Sequence, residues 1–237
     1  MKIVEEFLTL QAEGKFLGVP SYFIRSTGCN LRCQWLNKDG STTKCDTEYT
    51  SFKPEAGYNL DIDKVLTFLK EQPVKHIVIT GGEPTIQKDI VSVTDRFLNN
   101  GYTVTIETNG TAYHEWMSEH AFMSFSPKLK SSYAQTSPMD FSIHSKNNNF
   151  IDSINKYIQT RDYQMKFVVN SQEDLEEILD LQTKIGFDSN KVYLMPQGIT
   201  TGQFKDKEKW IFQQCIDNGF NYTPRMHIEI WGNKRGI

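Results

Sequence analysis

Long hydrophobic runs are missing from this 237-residue chain, and so is any excess of one charge: 26 Lys and Arg stand against 29 Asp and Glu, a net charge of −3. No apolar stretch approaches the roughly 20 residues that a membrane-spanning helix needs. The near-balance of charge provides no global field for recruiting nucleic acid. Linkers, internal repeats and low-complexity blocks are absent too, so the expectation is a single domain over residues 1–237. The opening MKIVEEFLTLQAEG is acidic, and its apolar run is too short for a secretory signal, which predicts a cytoplasmic protein with no membrane partner. Cysteine is scarce. There are four, and in a reducing compartment so few thiols point to a metal or redox site rather than a disulfide framework.

What is present is a rhythm of apolar run, turn and amphipathic run. Residues 21–25, 76–80, 103–107, 122–126, 164–169 and 191–195 are rich in Ile, Val, Tyr and Phe and are predicted as strands, with a last one at 226–230. Helical spacing predicts helices over 61–71, 87–99, 172–185 and 205–218, the last three closed by Gly101, Gly186 and Gly219. Residues 35–44 and 131–138 are polar and are predicted as loops. Alternating strands and helices give an α/β fold with a mostly parallel sheet and crossover helices. Gly81, Glu83, Glu107, Asn109, Ser126, Lys128 and Gln197 all fall at or just beyond the C-terminal ends of predicted strands, the edge where such sheets bind ligands.

Two motifs carry chemistry. The first is Cys29, Cys33 and Cys45, in GCNLRCQWLNKDGSTTKCD. Soft thiolates on one loop suit an iron–sulfur cluster, and three of them leave one iron open to a small molecule. A structural zinc ordinarily wants four N/S ligands, and none follows nearby before His76. On spacing alone, a cluster, a zinc site and unligated thiols all stay open. Cys215, among apolar neighbours on a predicted helix, is expected in the core. The second motif is Thr80-Gly81-Gly82-Glu83-Pro84, directly after the buried-type strand His76-Ile77-Val78-Ile79. Paired glycines let a ligand approach the backbone, Glu83 can receive an ammonium group, and Pro84 stiffens the turn. A plain strand-to-helix turn explains the same residues equally well.

Taken together, these motifs resemble those of radical S-adenosylmethionine (SAM) enzymes. The resemblance is closest to the 7-carboxy-7-deazaguanine synthases of the queuosine and 7-deazapurine pathways. It runs through Phe7-Leu8-Thr9-Leu10-Gln11-Ala12-Glu13-Gly14, Gly28-Cys29-Asn30-Leu31, Cys45-Asp46-Thr47, Glu107-Thr108-Asn109-Gly110, Ser126-Pro127-Lys128, Arg225-Met226-His227 and Trp231-Gly232-Asn233. It implies a partial or modified (β/α) barrel, with the cluster loop at 28–47 and a substrate-side extension at about 221–237. Cys29, Cys33 and Cys45 would hold a 4Fe–4S cluster. Gly81, Gly82, Glu83, Glu107, Asn109, Ser126, Lys128 and Gln197 would hold SAM, and Asp46 and Thr47 a magnesium ion. The implied substrate is 6-carboxytetrahydropterin, held by Gln11, Glu13, Gly14, Arg25, Thr80 and His227. A flavodoxin-like or other reductant and a homodimer are implied as well. An activase that makes a glycyl radical on a protein partner, or a zinc-stabilised binding protein, would share fewer of these residues. Two departures stand out. Eleven residues separate Cys33 from Cys45 where two are usual, and Ala12 replaces the usual glycine of the Gln-Gly-Glu-Gly stretch. If that glycine needs a positive φ, alanine there costs about 1 kcal/mol.

Overall fold

The computed structural model describes residues 1–37, 39–133 and 137–237, so part of the loop expected at 131–138 lies outside the described residues. It begins with a strand that the sequence pattern did not suggest. β1 (Lys2–Leu10) runs antiparallel to β2 (Pro20–Ser26), with a register shift between Ile3 and Glu5. β3 (Gln34–Leu36) and β4 (Thr42–Lys44) form a separate antiparallel hairpin where a loop was expected. There follow α1 (Glu48–Ser51), β5 (Tyr58–Asn59), α2 (Ile62–Lys70), β6 (His76–Gly81), α3 (Ile90–Leu98), β7 (Thr103–Thr108) and β8 (Phe122–Phe125). The second half holds α4 (Pro138–Asn147), α5 (Ile151–Ile158), β9 (Tyr163–Val169), α6 (Gln172–Ile185), β10 (Val192–Pro196), α7 (Thr201–Asn218), β11 (Asn221–Tyr222) and α8 (Met226–Trp231).

The main sheet has nine strands in the order β11-β10-β9-β8-β7-β6-β2-β1-β5. Pairing from β2 through β11 is parallel, and β1 and β5 are antiparallel additions at one edge. The six parallel strands expected from sequence all form. The two edges, β11 and β5, are not paired with each other among the described residues.

Strand side chains alternate between faces with a period of two. Tyr22, Ile24, Ile77, Ile79, Val104, Ile106, Met123, Phe125, Met165 and Phe167 join one apolar core with α2, α3, α5, α6 and α7. The intervening positions are mostly polar, with the apolar Phe23, Val78, Phe122 and Val168 among them. Ser21 Oγ lies 2.7 Å from His76 Nδ1, and His76 Nε2 lies 2.8 Å from Thr105 Oγ1. Gln164 Nε2 donates to Ser124 Oγ at 2.7 Å. This second face is buried yet hydrogen-bonded, as buried polar groups must be. The turn after β1 closes its lower end: Phe16 packs on His76 and Phe122 with ring centroids 4.8 and 4.9 Å apart. Above that plug the polar face opens into a cavity.

Helix ends follow their sequence signals. Asp61 accepts from the Lys64 N–H at 3.0 Å, Ser171 and Asp174 form a capping box, and Gly186 and Gly219 close α6 and α7 in the left-handed conformation. The segment 226–230, expected as a strand, is instead the helix α8. The outer edge of β10 is already taken by β11, and the buried residues Arg225 and Ile228 stand at the i, i+3 spacing of a helical turn. Among the described residues no helix is long and apolar enough to cross a membrane.

Candidate active site

The eleven residues between Cys33 and Cys45 do not hold the two apart. The β3–β4 ladder pairs Gln34 with Lys44, and the Cys45 N–H donates to the Cys33 carbonyl at 3.0 Å. Cys29, Cys33 and Cys45 then share one small cluster with Leu31, Trp35 and Val168, apart from the main core. His144 of α4 steadies the loop, its Nδ1 lying 3.0 Å from the Arg32 carbonyl while its ring stacks on Tyr133 at 4.2 Å. Burial pushes all three thiols above the usual cysteine value, Cys29 to about 12, and the nearby Lys128 ammonium opposes that rise at each. Among the described residues no three His, Cys, Asp or Glu side chains are grouped to hold a single metal ion. Donors around one zinc lie about 3.8 Å apart by tetrahedral geometry. Three soft thiols on one loop, with no fourth N/S donor grouped beside them among the described residues, suit a cluster with one open iron better than a closed zinc site. Cys215 is buried in the main core, as expected.

β6 ends in the glycine pair. Gly81 has φ +130°, a conformation closed to most L side chains, and the Gly82 and Glu83 N–H groups donate to Ser26 and Gly28 carbonyls at 3.2 and 2.9 Å. The turn is thereby stitched to the start of the cysteine loop. Glu83 differs from its expected role, because its side chain does not line the cavity. It is fully buried and accepts from the Thr85 N–H (3.0 Å), Thr85 Oγ1 (2.6 Å), Thr108 Oγ1 (2.7 Å) and the Asn109 N–H (2.6 Å). Burial raises its pKa, and these four bonds act against the rise. Glu83 thus ties the end of β6 to the end of β7, three of its four hydrogen bonds falling on Oε1 and one on Oε2. Glu83→Gln replaces one acceptor oxygen with a donor amide facing those N–H and O–H groups. It should lower unfolding stability by about 2–4 kcal/mol in denaturant titration.

The other strand ends converge. Asn109 Nδ2 donates to Asn30 Oδ1 at 2.9 Å, Lys128 Nζ to Ser126 Oγ at 2.8 Å, and Gln197 Oε1 accepts from Lys207 at 2.9 Å. Gln11, at the end of β1, donates to Glu107 Oε1 at 3.3 Å, and Thr80 Oγ1 donates to Glu107 Oε2 at 2.9 Å.

The same cavity holds a charged cluster. Glu13 Oε2 accepts from Lys166 Nζ at 2.6 Å, and Glu13 Oε1 lies 3.4 Å from Arg225 Nε and 3.9 Å from His227 Nδ1. Burial alone would raise the Glu13 pKa, but Lys166, Arg225 and His227 together hold it well below the usual carboxylate range. Arg225 also pairs with Asp46. Burial lowers the His227 pKa, favouring the neutral ring. Arg25 is paired with Glu5 at 2.6 Å, and Glu5 also accepts from Tyr49 at 2.9 Å. The C-terminal residues reach the same cavity, where Arg235 stacks on Tyr49 at 3.7 Å and pairs with Glu55 at 2.8 Å.

The thiols, the glycine pair, the strand ends and the charged cluster line one cavity of about 720 Å³, within the range of small-molecule sites. Of the residues expected from sequence, two do not line it. One is Glu83. The other is Gly14, whose N–H donates to Thr223 Oγ1 at 2.6 Å and whose place a side chain could not share with Gln164. Lys166 and Arg225 line it without having been expected. A signal for Lys166 was available, since it is the lone charge in the strand YQMKFVV. Ala12 is buried and does not need a positive φ, because no non-glycine residue among those described has one. Ala12→Gly should therefore bring no gain in turnover, and it should lower stability by about 0.4–1 kcal/mol through unfolded-chain entropy, measurable by thermal melting.

Comparison with known proteins adds the following. A family model described as the radical SAM superfamily matches residues 23–123. A 7-carboxy-7-deazaguanine synthase of Rhodopirellula baltica is 39% identical, over 99% of this chain and 88% of that protein. One from Halobacterium salinarum is 34% identical, over 98% and 91%. The crystal structure of QueE from Escherichia coli superposes with a TM-score of 0.65 at 25% identity, covering 95% of this chain and 94% of that one. Streptococcus suis SuiB bound to S-adenosylmethionine shares the fold, with a TM-score of 0.56 at 14% identity over 84% of this chain and 48% of that one.

Proposed function

The chain belongs to the 7-carboxy-7-deazaguanine synthase family within the radical SAM superfamily, and on that premise we propose that it is a carbon–nitrogen lyase converting 6-carboxy-5,6,7,8-tetrahydropterin to 7-carboxy-7-deazaguanine. The observation that carries this reading is one cavity lined both by the three thiols and by Glu13, Arg25 and His227. When bound, a 4Fe–4S cluster supplies the electron for reductive cleavage of SAM, and SAM supplies the radical that takes hydrogen from the pterin. Cys29, Cys33 and Cys45 suit the cluster: the ligands are soft, they lie on one loop, and four irons exceed three thiolates by one open position.

The protein's own groups position and shield. The Gly81–Gly82 backbone, with Glu107, Asn109, Ser126, Lys128 and Gln197, forms the cofactor side, and Glu83 keeps that turn in place from behind. Glu13, held as an anion by its three neighbours, can only accept hydrogen bonds, and so takes the N–H donors of the aminopyrimidinone ring. Arg25 presents a fork for the substrate carboxylate. Neutral His227 can donate from one nitrogen and accept at the other.

Magnesium at Asp46 and Thr47 would find one carboxylate already paired with Arg225 and one hydroxyl 3.3 Å from Cys45 Sγ. That pair is no protein cage. Magnesium there would draw its remaining oxygen ligands from substrate and water.

The test is anaerobic reconstitution with iron and sulfide, then dithionite, SAM, magnesium and 6-carboxytetrahydropterin, with products identified by mass spectrometry. Formation of 7-carboxy-7-deazaguanine supports the reading. Formation of 5′-deoxyadenosine alone, with the pterin unchanged, rejects the substrate.

A further inference from the structure

Lys166 is the one charge on β9, and its side chain is only 5% exposed. It projects from the polar face, between Met165 and Phe167 of the core. Its ammonium lies 2.6 Å from Glu13 Oε2 and 3.2 Å from Glu107 Oε1. Glu13 belongs to the substrate side. Glu107 belongs to the cofactor side, where both its oxygens are already engaged by Gln11 and Thr80. The contacts continue through Arg225 to Asp46, next to Cys45. A line of alternating charge, Glu107–Lys166–Glu13–Arg225–Asp46, therefore runs along the cavity lining and joins the cofactor-side Glu107 to the substrate-side Glu13. An ammonium this deeply buried persists only when fully paired, and two carboxylates this close repel unless a cation stands between them.

Resting on the functional reading above, we infer that Lys166 is a positioning residue that couples the two halves of the site, fixing Glu13 and Glu107 at one spacing so that SAM and pterin favour each other's binding. Lys166 need touch neither ligand for this. A cofactor that orders Glu107 orders Lys166, and through it the acceptor oxygens of Glu13. Coupling of binding is reciprocal, so each ligand must tighten the other by the same factor.

The experiment compares reconstituted wild type, Lys166→Met and Lys166→Arg. The pterin dissociation constant is measured by equilibrium dialysis with and without SAM, on the oxidised cluster, where no turnover occurs. Iron content, thermal melting and the ratio of 5′-deoxyadenosine to product accompany it. In the wild type, SAM should tighten pterin binding. Lys166→Met should lose that tightening, raise the pterin KM by about 30-fold or more and release more 5′-deoxyadenosine per product, with iron content unchanged. Lys166→Arg, which keeps the charge, should recover part of the coupling.

Equal pterin affinity in wild type with and without SAM would overturn the coupling while leaving the reaction intact. So would Lys166→Met with an unchanged pterin KM and product ratio. Loss of iron, of SAM binding and of thermal stability together in Lys166→Met, with no recovery in Lys166→Arg, would assign the lysine to folding alone. Absence of product and of pterin binding in the wild type would remove the functional reading itself.

Discussion

Cys45→Ala should yield a folded protein that retains no four-iron cluster and cleaves no SAM. Cys45 lies at the foot of the β3–β4 hairpin, in a small cluster separate from the main core, so truncating it leaves the sheet and its helices intact. What it removes is one of three thiols that have no substitute. Cys215, the fourth cysteine, is buried within the main core, and the neighbouring Asp46 is a hard carboxylate already paired with Arg225. Iron and acid-labile sulfide measured after anaerobic reconstitution should fall to background, and 5′-deoxyadenosine should be undetectable. Cys215→Ala should behave in the opposite way, with full iron content and a loss of about 1 kcal/mol in stability. Full iron loading in Cys45→Ala, with SAM cleavage intact, would remove Cys45 from the ligand set.

Gly82→Ala should be nearly as damaging, though no charged or metal-binding group changes. A Cβ on Gly82 would stand 2.0 Å from the Gly28 carbonyl oxygen and 3.0 Å from Cys29 Cβ. The first of these is backbone and cannot swing aside. The Glu83 N–H also bonds to that same carbonyl at 2.9 Å, so the methyl group would break the stitch as it pushed the cysteine loop away. Overpacking of this kind costs about 1–3 kcal/mol. The larger effect is on chemistry, since displacement of a reacting group by about 1 Å can cost a hundredfold in rate. SAM cleavage by the reconstituted variant should therefore drop by about two orders of magnitude, with iron content reduced rather than abolished. Gly40→Ala offers the contrast. An added Cβ there meets nothing within 4 Å, so its only penalty is backbone strain at φ +81° on an exposed tip.

The parallel sheet was legible because its strands carry Ile, Val and Phe between clear turns, and because Gly186 and Gly219 mark helix ends. The polar residues at strand ends were legible for a related reason. A charge or an amide directly after an apolar run has few structural uses, and Glu107, Asn109, Lys128 and Gln197 all line the cavity. Other features escaped. β1 alternates poorly, and its mixed burial comes from its position near the sheet edge, which no local pattern encodes. The 226–230 segment has strand-like residues, yet becomes helical because β11 already occupies the edge it would need. Glu83 had the chemistry of an ammonium acceptor, but which way a carboxylate turns depends on where Thr85, Thr108 and Asn109 place their donors. Those residues come from two different strand ends. Lys166 and Arg225 were missed because each matters through partners more than fifty positions away along the chain.

The β3–β4 hairpin separates how long the cysteine segment is from where its cysteines stand. Once Gln34–Lys44 and Leu36–Thr42 are paired, the sulfurs at its foot no longer register how many residues pass over its tip. Loop-closure entropy grows only with the logarithm of length, about 0.6 kcal/mol for each doubling, so the tip can lengthen or shrink at little expense to the fold. The ladder therefore acts as a length buffer: insertions that would wreck a three-residue spacing become surface variation, available for contacts with other molecules while the chemistry beneath stays put.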